Sequence, residues 1–137
     1  MSDKILQKFA AKAGERAVGP AIADEPDIVD DLGAFGWLRG MHERAVMLEL
    51  RKANGNILAV GYGWLERADF NPSEGITLHV VGRQIRIRGR NLNAEVRPLV
   101  RLFQGITRHR VPWVQEVNEP ALMRAAKGET VVEAIEW

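Results

Sequence analysis

The stretch that decides the fold is residues 76–88, which read ITLHVVGRQIRIR. Apolar and polar residues alternate on both sides of Gly82-Arg83, as they do in two half-buried strands joined by a tight turn. With Gly82-Arg83 as a two-residue loop, Val80 lies opposite Ile85 on the buried face. Because both strands then agree about which face is buried, we predict an antiparallel hairpin here.

A second hairpin is predicted just before this one. Residues 44–52 alternate like a strand, and Asn54-Gly55 is a strong turn signal because both residues tolerate a positive φ. A three-residue loop over 54–56 would pair Leu50 with Val60, which places apolar side chains opposite each other.

Helical spacing follows the two hairpins. The apolar residues of 96–103 recur at intervals of three and four, which predicts a helix near 96–104 that begins close to Pro98. A short strand is predicted around Trp113 and a short helix over 120–127. Residues 130–137 alternate like a strand but also contain a capping box, so strand and helix both stay open, with strand preferred.

Together these elements predict an α+β fold. We expect an antiparallel β-meander of four to five strands, a roll or half-barrel, packed by the helix near 96–104. The N-terminal residues predict a helical segment, with one helix starting at Ser2 or Asp3 and a second near Asp24. Residues 1–40 would pack on a core formed by a single α+β domain, residues 41–137.

The composition excludes several classes of function. The chain has 137 residues and no cysteine, which rules out disulfides and thiolate metal sites. The longest apolar stretch, residues 57–65, is too short to span a membrane, and no signal peptide is visible at the N-terminus. We therefore expect a cytoplasmic protein without a membrane partner, a metal or a cofactor.

The charge is unevenly distributed along the chain. The net charge is only +1, yet residues 75–110 contain eight arginines and a single acid, Glu95, whereas residues 1–43 and 111–137 each sum to −3. Arginine is well suited to phosphate, so one hypothesis is that an arginine-rich face over residues 83–110 binds nucleic acid or another polyanion. The candidate residues are Arg86, Arg88, Arg90, Arg97, Arg101, Arg108 and Arg110. Alternatively, the acidic segments could cover these arginines.

No pattern of catalytic residues is found. His42, His79 and His109 lack the spacing of a metal site, and the predicted hairpin register places His79 opposite Arg86. The serines, Ser2 and Ser73, lie outside any nucleophile motif. We expect no catalytic residues. An enzyme is therefore the third hypothesis, after a self-associating module and a polyanion-binding domain.

Self-association is the leading hypothesis. The chain has four tryptophans, a residue type enriched at interfaces. Phe35 and Trp37 lie in a glycine-broken apolar segment and Trp137 is the last residue, so these three are the candidates for subunit contacts. The sequence thus predicts a non-enzymatic interaction module that self-associates, most simply as a dimer.

Overall fold

The computed structural model describes residues 28–40 and 43–137. Within these ranges the chain forms nine strands, two short α-helices and a 3₁₀ turn at Tyr62–Trp64. The strands are β1 (Val29–Asp31), β2 (Gly36–Leu38), β3 (Met47–Arg51), β4 (Ile57–Gly61), β5 (Leu65–Asn71), β6 (Gly75–Val80), β7 (Arg83–Arg90), β8 (Trp113–Gln115) and β9 (Val131–Glu136). The helices are α1 (Leu102–Thr107) and α2 (Glu119–Arg124).

The strands of the described residues form three sheets. An antiparallel four-stranded sheet has the order β5-β6-β7-β9, a three-stranded sheet has the order β4-β3-β8, and β1 pairs with β2. The predicted antiparallel sheet is confirmed. The described part of the molecule is nevertheless richer in sheet and poorer in helix than the predicted meander, and β3 and β8 pair in parallel.

The core is built from the inward faces of the two larger sheets. Leu48 and Leu50 of β3 and Ile85 and Ile87 of β7 are buried, because apolar residues alternate with polar ones along both strands. Phe35, just before β2, is completely buried in the same cluster. The described part of the first forty residues therefore contributes to this core.

Both hairpins differ in register from the prediction by two residues. Leu78 lies opposite Ile85, and Gly82, with a φ of +75°, occupies the turn position that favours glycine. In the β3–β4 hairpin Leu50 lies opposite Leu58, because Lys52 and Asn56 close the loop. A slip of two residues leaves each side chain on its predicted face, so the assignment of buried and exposed faces holds.

The helix predicted near 96–104 begins later than expected. Arg97 and Val100 form a β-bridge around a tight turn, in which Leu99 has a φ of +67°. The carboxylate of Glu95 accepts a hydrogen bond from the Leu99 N–H, which stabilises this turn. Helix α1 then begins at Leu102, so the prediction is wrong for residues 96–101.

The helix predicted to start near Asp24 does not extend into the described residues, because residues 29–31 form a strand instead. Residues 29–31 form β1, and the Asp31 carboxylate accepts a hydrogen bond from the Gly33 N–H in the turn before β2. The predicted first helix and the start of the second lie outside the described residues. At the other end of the chain, β9 confirms the strand preferred for residues 130–137.

One carboxylate links the two larger sheets. Glu116, just after β8, accepts hydrogen bonds from the Ala53 N–H at 2.9 Å and from the Ile135 N–H at 2.8 Å. The N–H of Val117 donates to the Val132 carbonyl. These bonds hold the segment after β8 against the outer edge of β9.

Candidate interaction surface

Strand β4 forms one edge of the three-stranded sheet. It pairs with β3 on one side, and no strand in the described ranges pairs with its other side. Its sequence, ILAVG, contains no charge and no proline, and its pairing with β3 shows no bulge. Exposed edges of this kind are ready to pair with a further strand.

The outward-facing backbone groups of β4 follow from the hairpin geometry. The N–H of Lys52 donates to the Asn56 carbonyl, and the N–H of Tyr62 donates to the Val46 carbonyl. Because hydrogen-bonded and non-bonded pairs alternate in an antiparallel ladder, Leu58 and Val60 direct their N–H and C=O groups toward β3. Ile57 and Ala59 therefore direct theirs away from the sheet.

An exposed apolar cluster lies on the solvent side of this edge. Trp64 is 64% exposed and Met47 is 45% exposed, although both are large and apolar. The Trp64 ring lies against Gly61, where an added Cβ would come within 3.0 Å of the ring and within 3.7 Å of the Met47 sulfur. Ile57, 57% exposed, extends this cluster along the strand.

A groove of about 480 Å³ lies beside the same edge. Side chains from β4, from the segment after it and from the β6–β7 turn line the groove: Leu58, Val60, Trp64, Val80, Val81 and Arg83. Arg83 carries the one charge among these lining residues. The exposed edge, the tryptophan and the groove thus form a continuous surface, which we call the β4 surface.

The edge of the four-stranded sheet is protected by charge. Strand β5 carries Glu66, Arg67 and Asp69, and its register with β6 shifts between Leu65 and Arg67. Arg67 and Asp69 form an ion pair at 3.0 Å. Charges and bulges are the devices by which natural sheets prevent edge-to-edge pairing, and β4 has neither.

The remaining edges of the two larger sheets are covered by the chain itself. Beside β8, Phe35 forms a β-bridge with Val114 and the Gln115 N–H donates to the Ala34 carbonyl. Beside β9, Glu116 and Val117 bond to backbone groups of that strand. Considering residues 28–40 and 43–137, β4 is therefore the edge of these sheets that is both open and uncharged.

Three of the predicted polyanion-binding arginines are engaged by acids of the chain. Arg88 pairs with Glu136 at 3.5 Å, and Arg90 pairs with Glu133 at 3.0 Å across the β7–β9 ladder. Arg97 binds Asp30 at 2.6 Å. These acids belong to the two segments of net charge −3.

The other arginines of the predicted face are dispersed. Arg101 donates to the Asn93 carbonyl, and Arg110 donates to the carbonyls of Leu38 and Gly40. Arg86 lies opposite Thr77 on one side and Glu136 on the other, and exposed Arg108 follows α1. The structure thus distributes the seven arginines over several elements.

Asp30 is the carboxylate with the most cationic partners in this region. It accepts hydrogen bonds from Arg39 and from Arg97, which join the β1–β2 hairpin to the turn before α1. The bonds from Arg39 and from Arg97 lower the pKa of the Asp30 carboxyl below its usual value.

The three aromatic residues predicted at an interface lie in different environments. Phe35 is completely buried and has no surface to offer a partner. Trp37 packs on the core with its ring against Gly105. Trp137 keeps 39% of its surface exposed, and the Lys52 ammonium lies 4.3 Å from its ring centre.

The histidines of the described residues are part of ordinary contacts. His79 lies opposite Gln84 and not opposite Arg86, because of the register slip, and its Nε2 is 3.2 Å from Asp69 Oδ2. His109 stacks on Tyr62 with ring centres 4.4 Å apart. No group of three or more potential metal ligands occurs in residues 28–40 and 43–137. His42 lies outside these ranges.

Sequence reasoning did not identify the β4 surface, although a signal was present. Residues 57–65 form the longest uncharged apolar stretch of the chain. At the sequence level this stretch excluded a membrane span and supplied the second strand of a hairpin. An uncharged strand at the edge of a sheet also indicates an interface, but edge position requires knowledge of the strand order.

No protein-family model, curated protein or solved structure matches this chain. No helix in the described part of the chain has the length and apolar character needed to cross a membrane.

Proposed function

We propose that this protein is a non-enzymatic interaction module that self-associates through the β4 surface. The observation that carries the proposal is an uncharged, bulge-free edge strand bordered by exposed apolar side chains. Edge strands bind extended chains through main-chain hydrogen bonds, while neighbouring pockets select the side chains. Both components are found together at β4.

The exposed tryptophan supports the same proposal. Trp64 presents a large apolar area on the 3₁₀ turn after β4, and tryptophan is among the residues that contribute most to binding at interfaces. Contiguous exposed apolar patches on soluble domains commonly mark interaction sites. A small net charge also leaves little long-range repulsion between two copies.

Sedimentation velocity over a concentration series tests the proposal. We expect the wild-type protein to be dimeric at tens of micromolar. Ile57→Lys should weaken association at least tenfold, because it places a charge on the otherwise uncharged apolar edge. The matched control is Met123→Lys on α2, where an equally apolar side chain is 84% exposed and lies outside the β4 surface.

The two variants separate a specific interface from general stickiness. If Met123→Lys dissociates the protein as strongly as Ile57→Lys does, the association does not depend on β4. A wild-type protein that stays monomeric at hundreds of micromolar would overturn the proposal. Both variants replace exposed side chains, so at a concentration where the wild type is monomeric each should melt at the wild-type temperature.

A further inference from the structure

We infer that two copies pair β4 with β4 in antiparallel orientation, with Ala59 next to a twofold axis. This inference rests on the proposed function, since it names the partner strand and its register. The result is one continuous six-stranded sheet with the order β8-β3-β4-β4-β3-β8. The second copy of this chain is the occupant that we assign to the β4 surface.

The charge pattern favours a second copy as the occupant. A twofold antiparallel pairing brings each strand against itself, so charged residues near the axis meet like charges. Strand β4 has no charge along its five residues, whereas β5 has three. In the described part of the two large sheets, β4 is thus the open edge that can face its own copy without placing like charges opposite each other.

The outward backbone groups restrict the possible registers. Only odd-numbered residues present backbone groups to a new strand, because the even-numbered residues bond to β3. Ile57 and Ala59 offer both N–H and C=O, whereas Gly61 offers its N–H, since its C=O belongs to the 3₁₀ turn that follows. In a hydrogen-bonded pair both residues must be of this outward set. A twofold axis therefore places one residue of β4 opposite the same residue of the other copy. If that residue is odd-numbered the pair is hydrogen-bonded, and if it is even-numbered the pair is not hydrogen-bonded.

Side-chain complementarity selects the register with Ala59 opposite Ala59. Ile57 then lies opposite Gly61, which has no side chain, and reaches the exposed ring of Trp64 in the other copy. On the groove side, Leu58 of each copy lies opposite Val60 of the other copy, so the twofold axis generates two apolar pairs. A register with Leu58 opposite Leu58 would instead place Val60 opposite the polar residue Asn56.

The absence of cysteine from the sequence makes the register directly measurable. Single cysteines are introduced at Ala59, Leu58, Ile57 and, as the control, at Met123, and each variant is oxidised mildly. In a hydrogen-bonded antiparallel pair the Cα atoms lie about 5.5 Å apart. This separation falls within the roughly 4.4–6.8 Å that a disulfide requires.

We expect Ala59→Cys to form a cross-linked dimer in high yield. In the inferred register the two copies of Ile57 lie roughly 13 Å apart along the strand direction. The two copies of Leu58 are displaced by two residues along the strand, because each lies opposite Val60. Ile57→Cys, Leu58→Cys and Met123→Cys should therefore cross-link at least tenfold more slowly than Ala59→Cys.

Other outcomes overturn the inference in distinguishable ways. Fastest cross-linking through Leu58→Cys would establish the alternative register. A wild-type dimer in sedimentation without cross-linking at any β4 position would place the interface elsewhere, and the inference would fail while self-association stands. A monomeric wild type would remove the proposed function itself. Ala59 is exposed, so its cysteine variant should melt at the wild-type temperature.

Discussion

At the scale of single residues, Tyr62 joins the 3₁₀ turn after β4 to the segment before β8. Its hydroxyl donates a hydrogen bond of 2.6 Å to the Val111 carbonyl, and both residues are buried. Burial raises the pKa of the Tyr62 hydroxyl, so it remains a protonated donor at neutral pH. Without this donor the carbonyl would have no replacement partner from water.

We expect Tyr62→Phe to lower the free energy of unfolding by about 1–3 kcal/mol, because it leaves a buried acceptor unpaired. Urea denaturation measures the change. Thr107→Ala is the control, since it also removes a hydroxyl bonded to a backbone carbonyl, but at an exposed position. Equal losses in both variants would mean that burial of the tyrosine bond contributes nothing.

Asp30 predicts a specific loss of stability in acid. Because Arg39 and Arg97 lower its pKa in the folded state, its contribution is complete above the ordinary carboxyl value of about 4 and is lost as the pH falls through the lower folded value. The difference in unfolding free energy between wild type and Asp30→Asn should thus be constant near neutral pH and shrink below about pH 4. Denaturation at a series of pH values measures this.

The control for that series is Asp31→Asn. The asparagine keeps an acceptor for the Gly33 N–H, and Asp31 forms no ion pair with a described residue. This variant keeps both Asp30 ion pairs, so acid should still remove the Asp30 contribution from it. A difference for Asp30→Asn that stays constant into strong acid would contradict the ion-pair explanation.

At the scale of elements, the β7–β9 ladder depends on a glycine. The register shifts between Arg88 and Gly89, and a Cβ at Gly89 would overlap the Val131 carbonyl oxygen. We expect Gly89→Ala to destabilise the protein by about 1–3 kcal/mol or more, since the obstacle is backbone that cannot rotate away. Thermal and urea unfolding test this, with Gly63→Ala as the control because an added Cβ there meets nothing within 4 Å.

The elements also show what the sequence could and could not predict. Alternation identified the buried faces of β6 and β7 correctly, because a two-residue slip does not exchange faces. The exact loops were not predictable, since Gly82 and Gly55 suit several turn positions. The helical spacing of 96–103 was misleading because a turn at Pro98-Leu99 buries Val100 without a helix and leaves Leu99 80% exposed.

The candidate site was predictable in kind but not in place. Aromatic character pointed to Phe35, Trp37 and Trp137, yet burial depends on contacts far along the chain, such as the Phe35–Val114 bridge. The parallel pairing of β3 with β8 joins residues about sixty positions apart and leaves no local pattern. Without it, the position of β4 at a sheet edge stays unknown.

At the scale of the whole molecule, acids of the two segments of net charge −3, residues 1–43 and 111–137, form ion pairs with some arginines of the basic segment, residues 75–110. Because Arg88, Arg90 and Arg97 are paired with acids, we expect weak binding of labelled random-sequence DNA and RNA, and little at physiological salt. Replacing Glu133 and Glu136 together by glutamine frees two arginines and should increase affinity several-fold. A titration at two salt concentrations measures both.

The control for the nucleic-acid titration carries the same change in net charge at other positions. Glu66→Gln combined with Glu74→Gln alters two exposed acids outside the β7–β9 ladder. It should increase affinity less than the first pair does. Tight, steeply salt-dependent binding by the wild type would instead support polyanion recognition by the predicted arginine face.

The charged, bulged edge of β5 has a consequence for the size to which assemblies can grow. Open filaments arise when each copy offers two different adhesive surfaces, so that every addition exposes a fresh one. In the two larger sheets of the described residues, a second copy would occupy β4, while β5 is charged and the edges at β8 and β9 are covered. Growth should therefore stop at pairs, and concentrated solutions should remain clear instead of forming fibres.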